Sequence, residues 1–123
     1  MTYIDGYLIP VPRAKRAAYC AMAEAAAPIF IDHGALEVVE GWGDDMMRGQ
    51  TTDFFMAVKA TEDENVVFSW IVWPDKETRD QGNKAAMEDP RFAAMQADVF
   101  DGKRMIFSGF QSFVERKALG ETR

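Results

Sequence analysis

Four stretches of the chain carry the aromatic and β-branched residues, partly alternating with polar ones, that are typical of β-strands. These stretches are residues 3–9, 35–42, 66–73 and 104–115. Pro10 and Pro12 follow the first stretch and Pro74 follows the third. Because proline has no N–H to donate to a strand ladder, the pattern predicts that these two strands end at residues 9 and 73.

The segments between these strands have the composition of helices. Residues 13–33 hold a dense run of alanines and stop before Gly34, a residue favoured just past a helix C-terminus, so they predict a long first helix. Pro28 removes one backbone hydrogen bond from this helix and predicts a kink or break there. Asp75 is a candidate N-cap for a second, polar helix. Pro90 predicts a further helical stretch that reaches about residue 98.

The sequence of residues 53–59 is compatible with two structures. Thr52 or Asp53 could cap a short helix, and the apolar run FFMAV would also suit a strand; we favour a helical turn. The order of elements is then strand, helix, strand, insertion, strand, helix, strand. This order predicts an α+β, ferredoxin-like split βαβ fold, with a four-stranded antiparallel sheet in the order 4-1-3-2 and two main helices on one face. Residues 1–123 are expected to form a single domain.

Alternate residues of a strand point to opposite faces of a sheet, so each face collects one parity of every strand. One parity is apolar or small, with Glu37 as the exception, and is expected to pack against the helices: Ile4, Gly6, Leu8, Val39, Gly41, Phe68, Trp70 and Val72. The other parity is aromatic, with about one polar group per strand: Tyr3, Asp5, Tyr7, Val38, Glu40, Trp42, Val67, Ser69, Ile71 and Trp73, joined by Ile106, Ser108 and Phe110. Because large apolar faces are rarely left in water, a second copy is expected to cover this face and form a homodimer.

The space between the two sheets of that dimer is a candidate small-molecule site, with aromatic walls and a few polar groups. Asp5 and Glu40 are candidate catalytic bases, since desolvation raises the pKa of a carboxyl group towards neutrality. If they serve a site, replacing either by its amide should preserve folding. The expected ligand-binding residues are Tyr7, Trp42, Ser69, Trp73 and Ser108. The alternative is a structural or interaction module whose dimer core is filled by the same aromatic residues.

Composition and charge limit the classes of partner and cofactor that the protein is expected to bind. The net charge is −6 and no run of Lys or Arg exceeds two residues, so nucleic-acid binding is not expected. No apolar run reaches the roughly 18 residues of a membrane span. His33 is the only histidine and is expected to cap the first helix, and no phosphate-binding loop is present, so neither a metal nor a cofactor is expected. Cys20 is the only cysteine; it is expected to be a small buried residue, and the absence of a disulfide favours a cytoplasmic location.

Five segments that span nearly the whole chain carry a family resemblance: YIDGYLIPVP, GALEVVEGWGDD, VVFSWIVWP, MEDPRF and RMIFSGF. In these segments the chain resembles the YbaA-like family of bacterial conserved hypothetical proteins, a domain of unknown function. The resemblance implies the fold of the dimeric α+β barrel superfamily. That superfamily includes cofactor-independent monooxygenases acting on polyketide-like aromatic molecules, other small enzymes and plain ligand binders. The resemblance therefore implies a small-molecule ligand and a possible monooxygenase-like activity, and it transfers no catalytic residues.

Overall fold

The computed structural model of the protein describes residues 1–95 and 98–119. Its strands are β1 (Tyr3–Pro12), β2 (Glu37–Trp42), β3 (Glu64–Trp73) and β4 (Ile106–Gln111). They form one sheet in the order β2-β3-β1-β4, and every neighbouring pair is antiparallel. The predicted α+β class and the predicted strand order are confirmed.

The first strand is longer than the sequence predicted, because β1 continues through both prolines and pairs with β3 as far as Pro12. β4 pairs only with Tyr3–Leu8, so residues 9–12 have a strand neighbour on one side alone. A proline is tolerated at such an edge, where its missing N–H leaves no ladder position empty.

The helices also follow the predicted order. After a 3-10 turn at Arg13–Lys15 come α1 (Arg16–Asp32), α2 (Phe54–Ala57), α3 (Lys76–Glu88) and α4 (Pro90–Ala93). α1 is helical through Pro28, so the predicted break is not present. α4 ends at Ala93, and the predicted continuation to residue 98 includes residues 96–97, which lie outside the described residues. In the described part of the chain, no helix has both the length and the apolar character needed to cross a membrane.

Side-chain caps explain where two of these helices begin. The Asp53 carboxylate accepts a hydrogen bond of 2.7 Å from the backbone N–H of Met56, which confirms the helical turn favoured for residues 53–59. The Asp75 carboxylate accepts one of 2.7 Å from the backbone N–H of Thr78, so Asp75 is the N-cap of α3 as predicted.

The helices cover the opposite face of the sheet from the one that the pattern indicated. α1 and α3 pack on the face of the sheet that carries Asp5. Three residues of β3 on the same face are buried beneath these helices: Ser69, Ile71 and Trp73. On the other face, the exposed fraction is 49% for Phe68. The assignment of faces made from the sequence was therefore wrong for β1, β2 and β3.

This error has a physical cause. The sequence pattern favours helix packing on the parity that is apolar or small, but the polar groups of the other parity in β1, β2 and β3 find partners inside the chain. α3 supplies Arg79 and Asn83 to Asp5, and Ser69 donates to Glu40. A buried polar group with its hydrogen bonds satisfied is compatible with a core, so polarity alone does not distinguish the two faces.

β4 has the phase that leaves Ile106, Ser108 and Phe110 uncovered. These residues lie opposite Leu8, Gly6 and Ile4 of β1, and directly paired residues share a face. We call this surface the open face. It consists of Ile4, Gly6, Leu8, Glu37, Val39, Gly41, Phe68, Trp70, Val72, Ile106, Ser108 and Phe110.

The insertion between β2 and β3 covers one end of the open face. Phe55 and Val58, from α2 and its C-cap, are buried against Val66, with Leu8 packed beside them. Phe54 contacts Phe68 edge to face, with ring centroids 6.1 Å apart. The rest of the open face has no cover within the described chain.

Candidate ligand-binding site

A cavity of about 290 Å³ lies between α1 and the helix-covered face of the sheet. The α1 residues that line it are spaced three and four apart, as one side of a helix requires: Tyr19, Met22, Ala23, Ala26, Ala27 and Phe30. The sheet contributes Tyr7, Ile9, Val38, Glu40, Ser69 and Ile71. The remaining walls are Met87, Phe92, Phe100 and Met105.

The small side chains of α1 account for the empty space. Ala23, Ala26 and Ala27 face the sheet where a core helix normally carries large apolar residues. Larger side chains at both ends of this stretch, Tyr19 and Phe30, pack against the sheet and the loops. They hold the helix away from the strands, and the alanines leave the gap unfilled.

One polar cluster interrupts the apolar wall. The Tyr19 hydroxyl on α1 donates to Glu40 Oε1 at 2.7 Å, and the Ser69 hydroxyl on β3 donates to Glu40 Oε2 at 3.2 Å. β2 is an edge strand, so solvent reaches Glu40 from the side of the sheet. The cluster therefore stands between the cavity and the solvent.

The environment of Glu40 raises the pKa of its carboxyl group. Partial desolvation at the cavity wall raises the pKa of this carboxyl group, and the hydrogen bonds from Tyr19 and Ser69, which stabilise the charged form, oppose that effect only in part. The net result is a pKa above the ordinary value of 4.5. Such a carboxylate can bind a proton donor or accept a proton from it.

Two tyrosines supply neutral hydroxyl groups at the cavity. Burial is the main cause that raises the pKa of Tyr7 and of Tyr19 above the ordinary 10.0, so both phenols stay protonated at neutral pH. Tyr19 uses its proton on Glu40. Among the described residues the Tyr7 hydroxyl has no hydrogen-bond partner, while its ring stacks on Phe107 with centroids 5.7 Å apart. Tyr7 thus offers a free donor and acceptor to a bound molecule.

An outer groove of about 350 Å³ adjoins the cavity on the solvent side of Glu40. The two spaces share Tyr19 and Glu40. Trp42 lines the outer groove, and the guanidinium of Arg16 lies 5.1 Å from its ring centroid. The groove is the route by which a small molecule would approach the polar cluster.

Asp5 lies in a different cluster. Its side chain is 1% exposed and accepts hydrogen bonds from Arg79 Nε at 2.9 Å, Trp73 Nε1 at 3.0 Å and Asn83 Nδ2 at 3.0 Å. Arg79 Nη2 also lies 2.8 Å from Asp5 Oδ1. With both oxygens engaged and none lining the cavity, Asp5 serves as a buried counter-ion rather than as a base.

The structure brings together three of the residues that the sequence singled out. Tyr7, Glu40 and Ser69 line the cavity. Trp42 lines the adjoining groove, and Trp73 is fully buried against Phe30. Ser108 lies on the open face, on the other side of the sheet. The site thus lies under α1 within one chain. The expectation that these residues face the space between two sheets was wrong for all of them except Ser108.

Sequence reasoning missed Tyr19 and the aromatic residues Phe92 and Phe100. A signal for Tyr19 was present, because it lies on the same side of α1 as the alanine run and faces the same strands. Phe92 and Phe100 lie in a short helix and an irregular segment before β4, where no periodicity indicates the direction of a side chain.

The remaining candidate groups lie away from the cavity. His33 follows α1 as its C-cap residue, and its Nε2 lies 3.0 Å from Asp89 Oδ2. Cys20 is exposed, contrary to the expectation that it is buried, and its thiol donates to Glu24. Within residues 1–95 and 98–119, no group of three His, Cys, Asp or Glu side chains is arranged to hold a metal ion.

Two solved structures resemble this fold. Rv0793 from Mycobacterium tuberculosis superimposes with a TM-score of 0.57 at 12% identity, covering 95% of this chain and 100% of that one. A mutant of SnoaB, a cofactor-independent oxygenase from Streptomyces nogalater, gives a TM-score of 0.48 at 16% identity, with 98% of each chain covered. At such identities the comparison with Rv0793 shows the fold alone, an α+β fold with a four-stranded antiparallel sheet.

Relatives in sequence cover almost the entire chain. The uncharacterized protein YbaA of Escherichia coli strain K12 is 51% identical over 116 residues, which is 94% of this chain and 99% of the relative. YbaA of Shigella flexneri is identical to the same extent. The family model described as "Protein of unknown function (DUF1428)" matches residues 2–102. The chain therefore belongs to the DUF1428 family, together with YbaA.

Proposed function

We propose that this protein binds a small, mainly apolar molecule in the cavity between α1 and the sheet, and that Glu40 is the polar anchor. The observation that carries the proposal is an apolar cavity of about 290 Å³ whose wall contains a single carboxylate, Glu40, held by two hydroxyl donors. Ligand sites are commonly concave and apolar, with a few placed polar groups that fix orientation.

The test uses 2-naphthol as the probe, with binding followed by ligand-observed NMR. Ala26 lines the cavity, whereas Ala25 of the same helix is exposed on its outer side. Ala26→Phe places a ring in the cavity and should abolish binding. Ala25→Phe adds the same ring outside it and should leave binding unchanged. Equal binding by the two variants, or no binding by the unmodified protein, would contradict the proposal.

Acid–base catalysis by Glu40 is a second candidate function. It is favoured by the raised pKa of Glu40 together with the carboxylate's position on the cavity wall. A cofactor-independent monooxygenase of the kind implied by the family resemblance needs such a base, since its substrate must lose a proton before it reacts with dioxygen.

Proton transfer can be measured separately from oxygen chemistry. With 2-tetralone in D2O, Glu40 would take a proton from the carbon next to the carbonyl, and solvent would return deuterium to the enolate. Exchange should be faster with the unmodified protein than with Glu40→Gln. Equal exchange rates would exclude Glu40 as the base for this class of substrate.

We also infer that two copies associate through their open faces. Support comes from the exposed fractions of Ile106, Phe68 and Phe110, which are 47%, 49% and 58%. Apolar side chains clustered in this way mark an interface more often than a free surface. The rival interpretation, a module whose dimer core is filled by aromatics, concerns this interface and stays a prediction, as does a cytoplasmic location.

A further inference from the structure

Glu40 is the one side chain on the cavity wall, among the described residues, that carries a charge at neutral pH. The other ionisable residues there are Tyr7 and Tyr19, and both phenols are neutral. No lysine, arginine or histidine of the described chain lines this space. A molecule in the cavity therefore meets neutral hydroxyls and a negative carboxylate, and no positive group.

Two almost fully buried carboxylates have a cationic partner, whereas Glu40, which is exposed at the edge strand, has none among the described residues. Asp5 pairs with Arg79 at 2.8 Å, and Glu64 pairs with Arg104 through two contacts of 2.7 Å. Glu40 receives two hydrogen bonds, and both come from neutral hydroxyl groups. Two hydroxyl groups and the solvent thus stabilise its charge, and no cationic side chain neutralises it, so the carboxylate is available to a cation in the cavity.

The nearest cationic side chain on the outer groove does not provide that partner. Arg16 lies over the ring of Trp42, and it makes no ion pair with Glu40 within 4.0 Å. The groove also carries Glu24. Arg16 and Glu24 have opposite charges, so they leave the negative charge of Glu40 as the net charge around the entrance.

The walls of the cavity suit the body of an organic cation. Five aromatic residues line it: Tyr7, Tyr19, Phe30, Phe92 and Phe100. The face of an aromatic ring attracts a cation, and ring and alkyl groups of the ligand gain by leaving water. An anion would gain from the apolar wall as well, but it would be repelled by Glu40 and would find no counter-charge.

From this arrangement we propose that the cavity selects protonated organic amines with an aromatic or alkyl body, the ammonium group pairing with Glu40, and discriminates against carboxylates of the same shape. This inference rests on the proposed ligand-binding function and names the class of ligand.

Three probes of nearly equal size test this selection: 2-phenylethylamine, 2-phenylethanol and phenylacetate. Their affinities for the intact protein are measured at pH 8 by ligand-observed NMR titration. The amine should bind at least tenfold more tightly than the alcohol, and the acid should bind more weakly than the alcohol. Glu40→Gln should remove the advantage of the amine over the alcohol, so that the two probes bind with similar affinity.

Glu24→Gln is the matched control, because it removes the same charge from the outer groove without changing the cavity wall. It should keep the preference for the amine. The inference is overturned if the acid binds as tightly as the amine, or if the preference survives in Glu40→Gln or disappears in Glu24→Gln. If the amine binds no more tightly than the alcohol, the inferred selection is absent while the proposed binding function stands. If no probe binds, both fail.

Discussion

Asp5 shows what one buried charge does for this fold. Its carboxylate accepts hydrogen bonds from β3 and α3, so it ties the central strand β1 to both. Removing one partner of a buried ion pair leaves the other charge buried without a counter-ion. The stability lost in this way is larger than the net stability that the intact pair contributes. The same ion pair also holds Arg79 5.1 Å from the ring centroid of Tyr3.

We therefore expect Asp5→Asn to lower the free energy of unfolding by about 3 kcal/mol, as measured by urea denaturation. This prediction differs from the expectation from the sequence that an amide at this position preserves folding. Asp80→Asn is the control, because Asp80 binds the same Arg79 but its side chain is 47% exposed. The control should change stability by less than about 1 kcal/mol. Similar losses in the two variants would contradict a special role for Asp5.

Glu40 should titrate above the ordinary pKa of 4.5, because burial raises its pKa more than the two hydroxyl groups lower it. The carboxyl 13C chemical shift measures this pKa directly. Tyr19→Phe removes a donor to the charged form and should raise the pKa further, and Ser69→Ala should do the same to a smaller degree, since its bond is longer. Both variants keep the other ionisable residues around the cavity and the groove, which are Tyr7, Arg16 and Glu24.

The sign of the effect on stability follows from linkage. A carboxyl whose pKa is raised by folding contributes stability that is fully present below the unfolded pKa and is lost as the pH rises through the folded pKa. The free energy of unfolding of the unmodified protein should therefore fall as the pH rises from the unfolded pKa to the folded pKa of Glu40. In Glu40→Gln this contribution to the fall should be absent. A pKa of Glu40 at or below the ordinary value would disprove this account of the site.

At the scale of elements, the contact of α3 with Trp73 depends on a glycine. A Cβ at Gly82 would overlap the Trp73 ring and lie 2.7 Å from the carbonyl oxygen of His33. The helix therefore approaches the sheet and the end of α1 more closely than any side chain allows. This close approach is what brings Arg79 and Asn83 to Asp5.

Gly82→Ala should lower the free energy of unfolding by about 2 kcal/mol, because overpacking outweighs the roughly 1 kcal/mol by which alanine favours a helix. Thermal or urea unfolding measures the change. Gly102→Ala is the control, since nothing lies within 4 Å of its added Cβ. It should change stability by no more than about 0.5 kcal/mol. An unchanged or increased stability of Gly82→Ala would show that α3 can shift without cost.

The elements themselves were largely predictable from the sequence, and their packing was not. Capping residues and prolines have local effects, so Asp53, Asp75 and Pro90 indicated where helices begin. Which side of the sheet α3 covers depends on Arg79 and Asn83 meeting Asp5, residues more than 70 positions apart. Strand parity alone carries no information about that contact. For the same reason Glu40 and Ser69 were correctly paired on one face, yet the cavity was placed on the wrong side of the chain.

At the scale of the molecule, the two faces of the sheet have different roles. The face under α1 and α3 contains the buried Asp5 and Ser69 and the cavity, whereas the open face has no polar side chain along β1 and carries Glu37 on β2 and Ser108 on β4. Phe110 lies against Gly6, and a Cβ there would meet its ring at 3.6 Å. The result is a flat apolar surface on the two central strands, which a second copy would match by two-fold symmetry.

We expect the protein to be a dimer at micromolar concentration, and Phe68→Glu to shift it to a monomer, because a glutamate at that interface would be buried without a partner. Light scattering coupled to size exclusion measures the mass, and circular dichroism checks folding. Phe110→Glu, on the far side of the central strand, should have the same effect if the interface spans the open face. Met47→Glu is the control, because this residue is 72% exposed and lies in the loop after β2. An unmodified protein that stays monomeric, or folded dimers in both phenylalanine variants, would show that the open face is not the interface.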